Sequence, residues 1–426
     1  PNININKPVL GLTCDGAGDG LSATVSICKG NNIKRISSTS RHASLGKIYS
    51  RITMLLGMKP WEHEYKIMGL APYSEEALAI KESKKLQKLL KLSKDGLQFK
   101  LGTSLSTNYS YNYLKENFER VRFDNIAGAV QYFTESMLVN WVRSAIKNTK
   151  IKDIVCGGGV FMNVKANMLL QNIPELKTMY VMPSASDESL SIGAALHYYH
   201  NHFKIFNNQN GSLDNLYLGS DINSSDIKKT LDKVRKETNY KIEKNINLEK
   251  KLGTLLSKGE VVSICRGRAE WGARALGNRS IIARADSKEI VQKINSQIKM
   301  RDFWMPFAPT IIDNKYSSCI EDKKNIKPKF MTFALPSKDK AQSSLSGAMH
   351  PVDKTCRPQI LSKKTNPFLY TTLNYYCKKY KQYGVLQTSF NIHGEPIVNK
   401  PNEAYSTLKR SGLKYLVLGS YLISKN

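Results

Sequence analysis

No run of apolar residues approaches the roughly 18 that a membrane-spanning helix needs, and the opening Pro1-Asn2-Ile3-Asn4 lacks the profile of a secretory signal. Cysteine is scarce. Cys14, Cys28, Cys156, Cys265, Cys319, Cys356 and Cys377 form no CxxC pair and no zinc spacing, and an odd number fits no disulfide framework, so buried, reduced thiols in a cytoplasmic setting are expected. Acidic residues are short too: 35 stand against 64 lysines and arginines, a net charge of +29. Such an imbalance calls for an anionic partner or reflects a general lysine bias. Aromatic residues do not alternate with the basic ones as base-stacking platforms do. The densest basic stretch, Lys81 to Lys94, carries Leu86, Leu89 and Leu90 at the spacing of an amphipathic helix with a solvated face. General bias plus phosphate sites is preferred, and nucleic acid is not the expected partner.

What is present suits a soluble α/β protein: 41% apolar and 23% charged residues over 426 positions, enough for two domains with real cores. Val9 to Thr13 and Ala23 to Cys28 read as a hairpin around the turn Asp15-Gly16-Ala17-Gly18-Asp19-Gly20. From Asp124, an expected cap, the positions Ile126, Val130, Phe133, Met137, Leu138 and Trp141 follow helical spacing. A strand Asp153 to Cys156 leads through Gly157-Gly158-Gly159 into a helix carrying Asn163 and Asn167, and a strand Tyr180 to Met182 leads to Asp187 and a helix to Leu196. Asparagine, glutamine and glycine crowd Asn207 to Gly211, which places a linker over residues 206–213 between domains of residues 1–205 and 214–426. Helices near Ser225 to Lys236 and Leu248 to Ser257 and a strand Val261 to Cys265 open the second half.

Several segments carry chemistry. A strand, three glycines and a helix let backbone N–H groups approach a phosphate, though a tightly packed helix entry has the same letters. The Asp15 to Gly20 loop suits a metal or a nucleotide hydroxyl, or simply a hairpin. Asp187 stands where a helix cap belongs and equally where a crevice carboxylate faces a ligand. Arg266, Arg268, Arg274, Arg279 and Arg284 lie close together among glycines, followed by Lys299 and Arg301. That run reads as a convergent anion cradle, because guanidinium forks match phosphate oxygens, with about half of the arginines expected in structural ion pairs. His350 to Gln359 and Gln387 to Pro396 are polar loops between apolar strands, the usual position of site loops.

These segments carry a resemblance. Ser44-Leu45-Gly46 with Tyr49, Glu64 to Tyr73, Gly157-Gly158-Gly159-Val160-Phe161-Met162-Asn163, Pro183 to Asp187, Gly267 to Ser280, Met305 to Pro309 and Thr388-Ser389-Phe390-Asn391 resemble, in order along nearly the whole chain, the O-carbamoyltransferases of nodulation-factor and antibiotic tailoring. The resemblance implies a partial transferase domain of the actin and sugar-kinase ATPase type (ASKHA), similar to the tRNA threonylcarbamoyl transferase, followed by a YrdC-like α/β domain. The second would turn carbamoyl phosphate and ATP, with magnesium, into carbamoyl-adenylate through carbamate. The first would pass the carbamoyl group to a hydroxyl-bearing small-molecule acceptor. Carried over residue by residue, Arg274, Lys299, Arg301, Arg357, Ser389 and Asn391 handle carbamoyl phosphate and the adenylate. Lys66, Gly157, Gly158, Gly159 and Asn163 contact the nucleotide, and Asp15 and Asp187 are metal ligands.

Two departures from the family pattern are expected to matter. The family's N-terminal segment, with its first phosphate hairpin and its histidine ligands (Asp-His-His, then His-Ala), is missing from this sequence or lies on a second chain. The site for iron or another transition metal is then incomplete, since two carboxylates without imidazoles bind such ions poorly. Glu188-Ser189 also follows Asp187 where a glycine is usual. An RNA-binding YrdC-like module without transferase activity is the alternative reading. A small-molecule kinase is a weaker third.

Overall fold

The computed structural model describes residues 3, 4, 6–203, 213–244 and 247–426. The chain divides into two compact units, residues 1–211 with 332–334, and residues 212–331 with 335–426. Apart from Leu213, the linker expected over residues 206–213 lies outside the described residues.

The first unit is built on a five-stranded sheet in the order β3-β2-β1-β6-β7. Strands β1 (Val9–Gly18), β2 (Leu21–Lys29) and β3 (Asn32–Ser40) run antiparallel, while β6 (Asp153–Gly157) and β7 (Thr178–Val181) run parallel to β1. Only Asp19-Gly20 turns the β1–β2 hairpin: Gly18 pairs with Leu21, and both turn residues have positive φ, 50° and 79°. Asp-Gly tolerates that left-handed pair, whose twist matches the strands. Asp15 to Gly18, expected in the turn, belong to β1, where an irregularity between Cys14 and Gly18 breaks the ladder and re-aims Asp15.

Among the described residues seven α-helices accompany this sheet: α1 (Leu45–Leu55), α2 (Glu64–Leu70), α3 (Glu76–Gln87), α4 (Tyr111–Asn117), α5 (Phe123–Thr149), α6 (Val164–Gln171) and α7 (Leu190–Phe203). Along α5 every apolar position picked out by helical spacing, from Ile126 to Trp141, is buried. Its cap is Arg122 rather than Asp124. Asp124 sits in the first turn and pairs with the Arg122 guanidinium, where a carboxylate meets the positive end of the helix dipole. The Lys81 to Lys94 stretch is not one helix either. After α3 the chain enters β4 (Leu90–Leu92), paired with β5 (Phe99–Leu101), and Leu89 and Leu90 are buried at this junction rather than along a helical stripe.

The second unit holds an eight-stranded mixed sheet in the order β14-β11-β15-β10-β9-β16-β17-β8. Its strands are β8 (Tyr240–Glu243), β9 (Val262–Cys265), β10 (Arg279–Arg284), β11 (Ala308–Ile312), β14 (Gln359–Leu361), β15 (Gly384–Ser389), β16 (Tyr415–Leu418) and β17 (Tyr421–Lys425). A short ribbon, β12 (Leu335–Pro336) with β13 (Thr355–Cys356), stands apart. Leu252 and Leu256 of the helix Leu248–Ser257, and Leu369, Leu373 and Tyr376 of the helix Pro367–Tyr380, bury one face against Val262, Ile264, Ile282, Val385 and Val417. Each such side chain contributes about 1.5–3 kcal/mol on leaving water. The packed core fixes β15 against β10, with Ser280 opposite Ser389, and against β11, with Ala308 opposite Gln387. No helix among the described residues is long and apolar enough to cross a membrane.

Candidate active site

In the second unit the arginine run does not converge as a set. Arg279 is 1% exposed and donates to the carbonyls of Asn399, Arg266, Asn278 and Gly267, all at 3.0 Å. Arg266 donates to Gly419 O and lies on the Phe368 ring, Arg268 donates to Gly219 O and Leu218 O, and Arg284 pairs with Asp286. A buried guanidinium has five donors to satisfy, and in this loop-rich region backbone carbonyls are the nearest acceptors. Ion pairing accounts for one of these four. Arg274 alone of the five acts on the Arg357 guanidinium, together with Arg301.

Around Arg357 positive charge accumulates. Its guanidinium makes no hydrogen bond among the described residues, and it keeps some exposed surface while lying deep among protein atoms. Desolvation, then the charges of Arg274 and Arg301, push its proton affinity well below the usual arginine range. Guanidinium stays charged in proteins, so the three arginines form a positive cleft that favours an anion. Arg301 is held over the Phe307 ring and donates to Thr388 Oγ1 at 3.0 Å.

Lys299 forms the floor. It ends a π-helical turn, Asn295–Lys299, followed by Met300 at φ 45°, and such turns and strained residues recur at functional sites. Only 3% exposed, Lys299 donates to Ser389 Oγ at 3.1 Å and Asn391 Oδ1 at 2.6 Å, and Ser389 Oγ donates to Asn391 Oδ1 at 2.7 Å. No carboxylate pairs with it among the described residues. Burial, reinforced by Arg301, lowers its pKa from 10.5 to about 6, so the amine is neutral at pH 7.

Two glutamines lock these parts together. Gln387 Nε2 donates to Ala275 O and to Gln359 Oε1, and Gln359 Nε2 donates to Leu276 O. Gln387 and Ser389, two residues apart, share a face of β15. The residues beside Arg274 and Arg357 are thereby tied to the strand that carries Ser389. Glu270 Oε1 accepts from the N–H groups of Leu276, Asn278 and Arg279 and closes the Arg274 loop. All six second-half residues named from the resemblance thus lie in one neighbourhood. Gln359, Gln387 and Glu270 had no signal as organisers, because a buried amide or carboxylate serving backbone groups has no characteristic spacing.

In the first unit the glycine loops meet at the ends of parallel strands. Gly158 N donates to Ala185 O at 2.8 Å, and Ser186 Oγ and Asp15 Oδ1 both lie within 4.0 Å of where a Gly159 side chain would begin. Helix α1 points its capped N-terminus at the same place. Ser44 Oγ accepts from Lys47 N and donates to Asp15 O, and a Cβ on Gly46 would stand 2.8 Å from Asp15 O. Lys47 Nζ approaches Gly16, a contact that the neighbouring Gly-Lys pair in the sequence signals only weakly. Asn163 caps α6 through Ala166 N and exchanges amide hydrogen bonds with Gln131. Lys66 rides on α2, which packs against α5, the helix carrying Gln131. Asp187 opens a 3-10 turn and is exposed. Gly158 has φ 94°, and a Cβ there collides with the Cys14 backbone. Gly158→Ala is expected to cost the first unit about 2–4 kcal/mol through strain and clash, read as a lowered melting midpoint.

Residues 1–196 match the family described as Carbamoyltransferase N-terminus, and residues 253–425 match Carbamoyltransferase C-terminus. The chain belongs to the carbamoyltransferase family. It is an enzyme of that type. An uncharacterized protein of Methanocaldococcus jannaschii, MJ1051, is 35% identical over 98% of this chain and 80% of its own length. Nodulation protein NolNO of Sinorhizobium fredii is 29% identical over 97% and 60%. The 3'-hydroxymethylcephem-O-carbamoyltransferase of Streptomyces clavuligerus is 29% identical over 39% and 31%. A solved structure, full-length HypF in the phosphate- and nucleotide-bound form, is similar over 44% of this chain and 22% of that one at 17% identity, with a TM-score of 0.28, too slight a likeness to inform the site. In this carbamoyltransferase the arginine–lysine cleft falls inside the C-terminal family region, and the glycine loops fall inside the N-terminal one.

Proposed function

We propose that this carbamoyltransferase moves the carbamoyl group of carbamoyl phosphate, through carbamoyl-adenylate, onto a hydroxyl of a sugar or natural-product acceptor, with ATP as co-substrate. The observation that carries this reading is the cleft that Arg274, Arg301 and Arg357 form over the uncharged Lys299, in which the Arg357 guanidinium makes no hydrogen bond among the described residues. A phosphate dianion suits a cluster of guanidinium groups, whose forks hold its oxygens. Carbamate is short-lived in water, so a site that shelters it until it attacks the α-phosphorus of ATP makes chemical sense. Pyrophosphate leaves, and the acceptor hydroxyl then displaces AMP from the carbonyl carbon.

Residues 214–426 would form the adenylate in a YrdC-like domain, and residues 1–205 would make the transfer. For an ATPase-type first unit, the support is an antiparallel β1–β2–β3 meander continued by parallel β6 and β7, with glycine turns at the strand ends. Gly157 to Gly159 and Lys47 would meet the phosphates there. Magnesium would arrive with the nucleotide. A transition metal does not fit the residues at hand: among the described residues no group of three or more His, Cys, Asp or Glu side chains is placed to hold one, and Asp15 and Asp187 alone are hard oxygen donors.

Chromatography of the nucleotide product tests the reading. With carbamoyl phosphate and ATP, AMP and pyrophosphate are expected to accumulate; ADP as the product would replace adenylation with kinase chemistry.

A further inference from the structure

Ser389 Oγ and Lys299 Nζ, 3.1 Å apart, have the arrangement of a nucleophile beside its base. Ser389 is half-buried and Lys299 lies behind it, out of water. Asn391 Oδ1 contacts both and holds the amine in register. We infer that Ser389 is a nucleophile activated by Lys299, and that the pair takes the phosphoryl group of an acyl phosphate onto Ser389 Oγ while the acyl group leaves as a carboxylate. This deepens the reading above and rests on it only for the identity of the acyl group.

The step balances without an outside reagent. Lys299 Nζ takes the Ser389 hydroxyl proton, Oγ bonds to phosphorus, and the bond from phosphorus to the acyl oxygen breaks. With carbamoyl phosphate the leaving group is carbamate. Water then attacks the phosphoserine, releasing inorganic phosphate and returning the proton to Ser389. Attack at phosphorus is favoured over attack at the carbonyl carbon by what surrounds the pair. Arg274, Arg301 and Arg357 offer the clamp that a transferring phosphoryl group needs. An oxyanion on carbon needs donors aimed at one oxygen, and the Asn391 amide beside Ser389 is already committed to Ile392 O and Glu395 O.

The base is poised by its neighbours. Arg301 is the charged group acting on Lys299. From the segment after β15, the His393 backbone N–H donates to Ile298 O, and the Glu395 carboxylate pairs with Arg410. The amine is therefore free to accept a proton near neutral pH.

Rapid acid quench of the full chain with phosphorus-labelled carbamoyl phosphate, and separately with acetyl phosphate, both without ATP, tests this directly. Mass spectrometry is expected to find a phosphoryl increment on Ser389 before one turnover is complete. The rate of labelling should rise with pH to an inflection near 6. Ser389→Ala and Lys299→Met, checked for fold by their melting curves, should each lose the label at least about 100-fold, and Lys299→Met should lose the inflection. Phosphate release with no label at the earliest times overturns the inference, as does a carbamoyl increment on Ser389, or no reaction with either compound. Labelling by acetyl phosphate but not by carbamoyl phosphate would uphold the pair and sink the carbamoyl reading instead.

Discussion

Arg357→Ala is expected to weaken binding of carbamoyl phosphate about 100-fold or more, and kcat/KM should fall by at least as much. A bidentate guanidinium–phosphate contact is worth two charge-assisted hydrogen bonds of about 1.5–3 kcal/mol each. Arg357 has its whole donor set to offer, since its guanidinium bonds to nothing else among the described residues. The same substitution is expected to raise the melting midpoint of the ligand-free protein, because Arg274 and Arg301 lose a like charge at close range. Opposite signs for binding and stability distinguish a ligand-holding arginine from a structural one. Arg357→Lys should recover little of the binding, since a point charge does not reproduce the planar fork. Calorimetric titration and a thermal melt of each variant check both halves.

Lys299→Met is expected to lower the rate of phosphate release by about 100- to 10,000-fold, the contribution of a placed general base, and to stabilise the empty protein at the same time. An unfolded lysine holds its proton up to about pH 10, whereas buried Lys299 gives it up near 6. Between those values the unfolded chain binds the extra proton, so wild-type stability rises with pH through this window. The penalty is largest at pH 6 and below and fades toward pH 10. At pH 7 it is on the order of 4 kcal/mol. Methionine removes the penalty, so the variant's advantage should shrink as pH rises. Calorimetric melts at pH 6, 7 and 9 are the measurement, and a variant less stable than wild type at pH 6 would mean that Lys299 is held charged.

The elements legible in the sequence are those with a local cause. Asp19-Gly20 fixes its hairpin through left-handed dihedrals, and α5 is written in the spacing from Ile126 to Trp141. The glycine turn after β6 is equally local: Gly158 needs φ 94° and a bare Cα beside Cys14. The site is different. Composition made a cradle of five neighbouring arginines, yet four serve backbone carbonyls or Asp286, because proximity in sequence says nothing about which acceptors the folded loop offers. Arg301, from the end of the same basic run, and Arg357, from a distant segment, join Arg274 instead, brought together by β11, β14 and β15. Lys299 has no signature of its own: what sets it apart is burial without a carboxylate, a property of the packed unit. The basic run led on to Lys299 and the polar loop Gln387 to Pro396 held Ser389 and Asn391, but only the resemblance to a family singled the three out together.

In the proposed function the second unit's arginine cleft holds a phosphorylated one-carbon donor beside ATP and makes an adenylate from it. Exchange of labelled pyrophosphate into ATP measures this most directly. The expected result is exchange that requires carbamoyl phosphate and disappears in Arg357→Ala. Folded wild-type protein that catalyses no exchange, or exchange indifferent to carbamoyl phosphate, would contradict it.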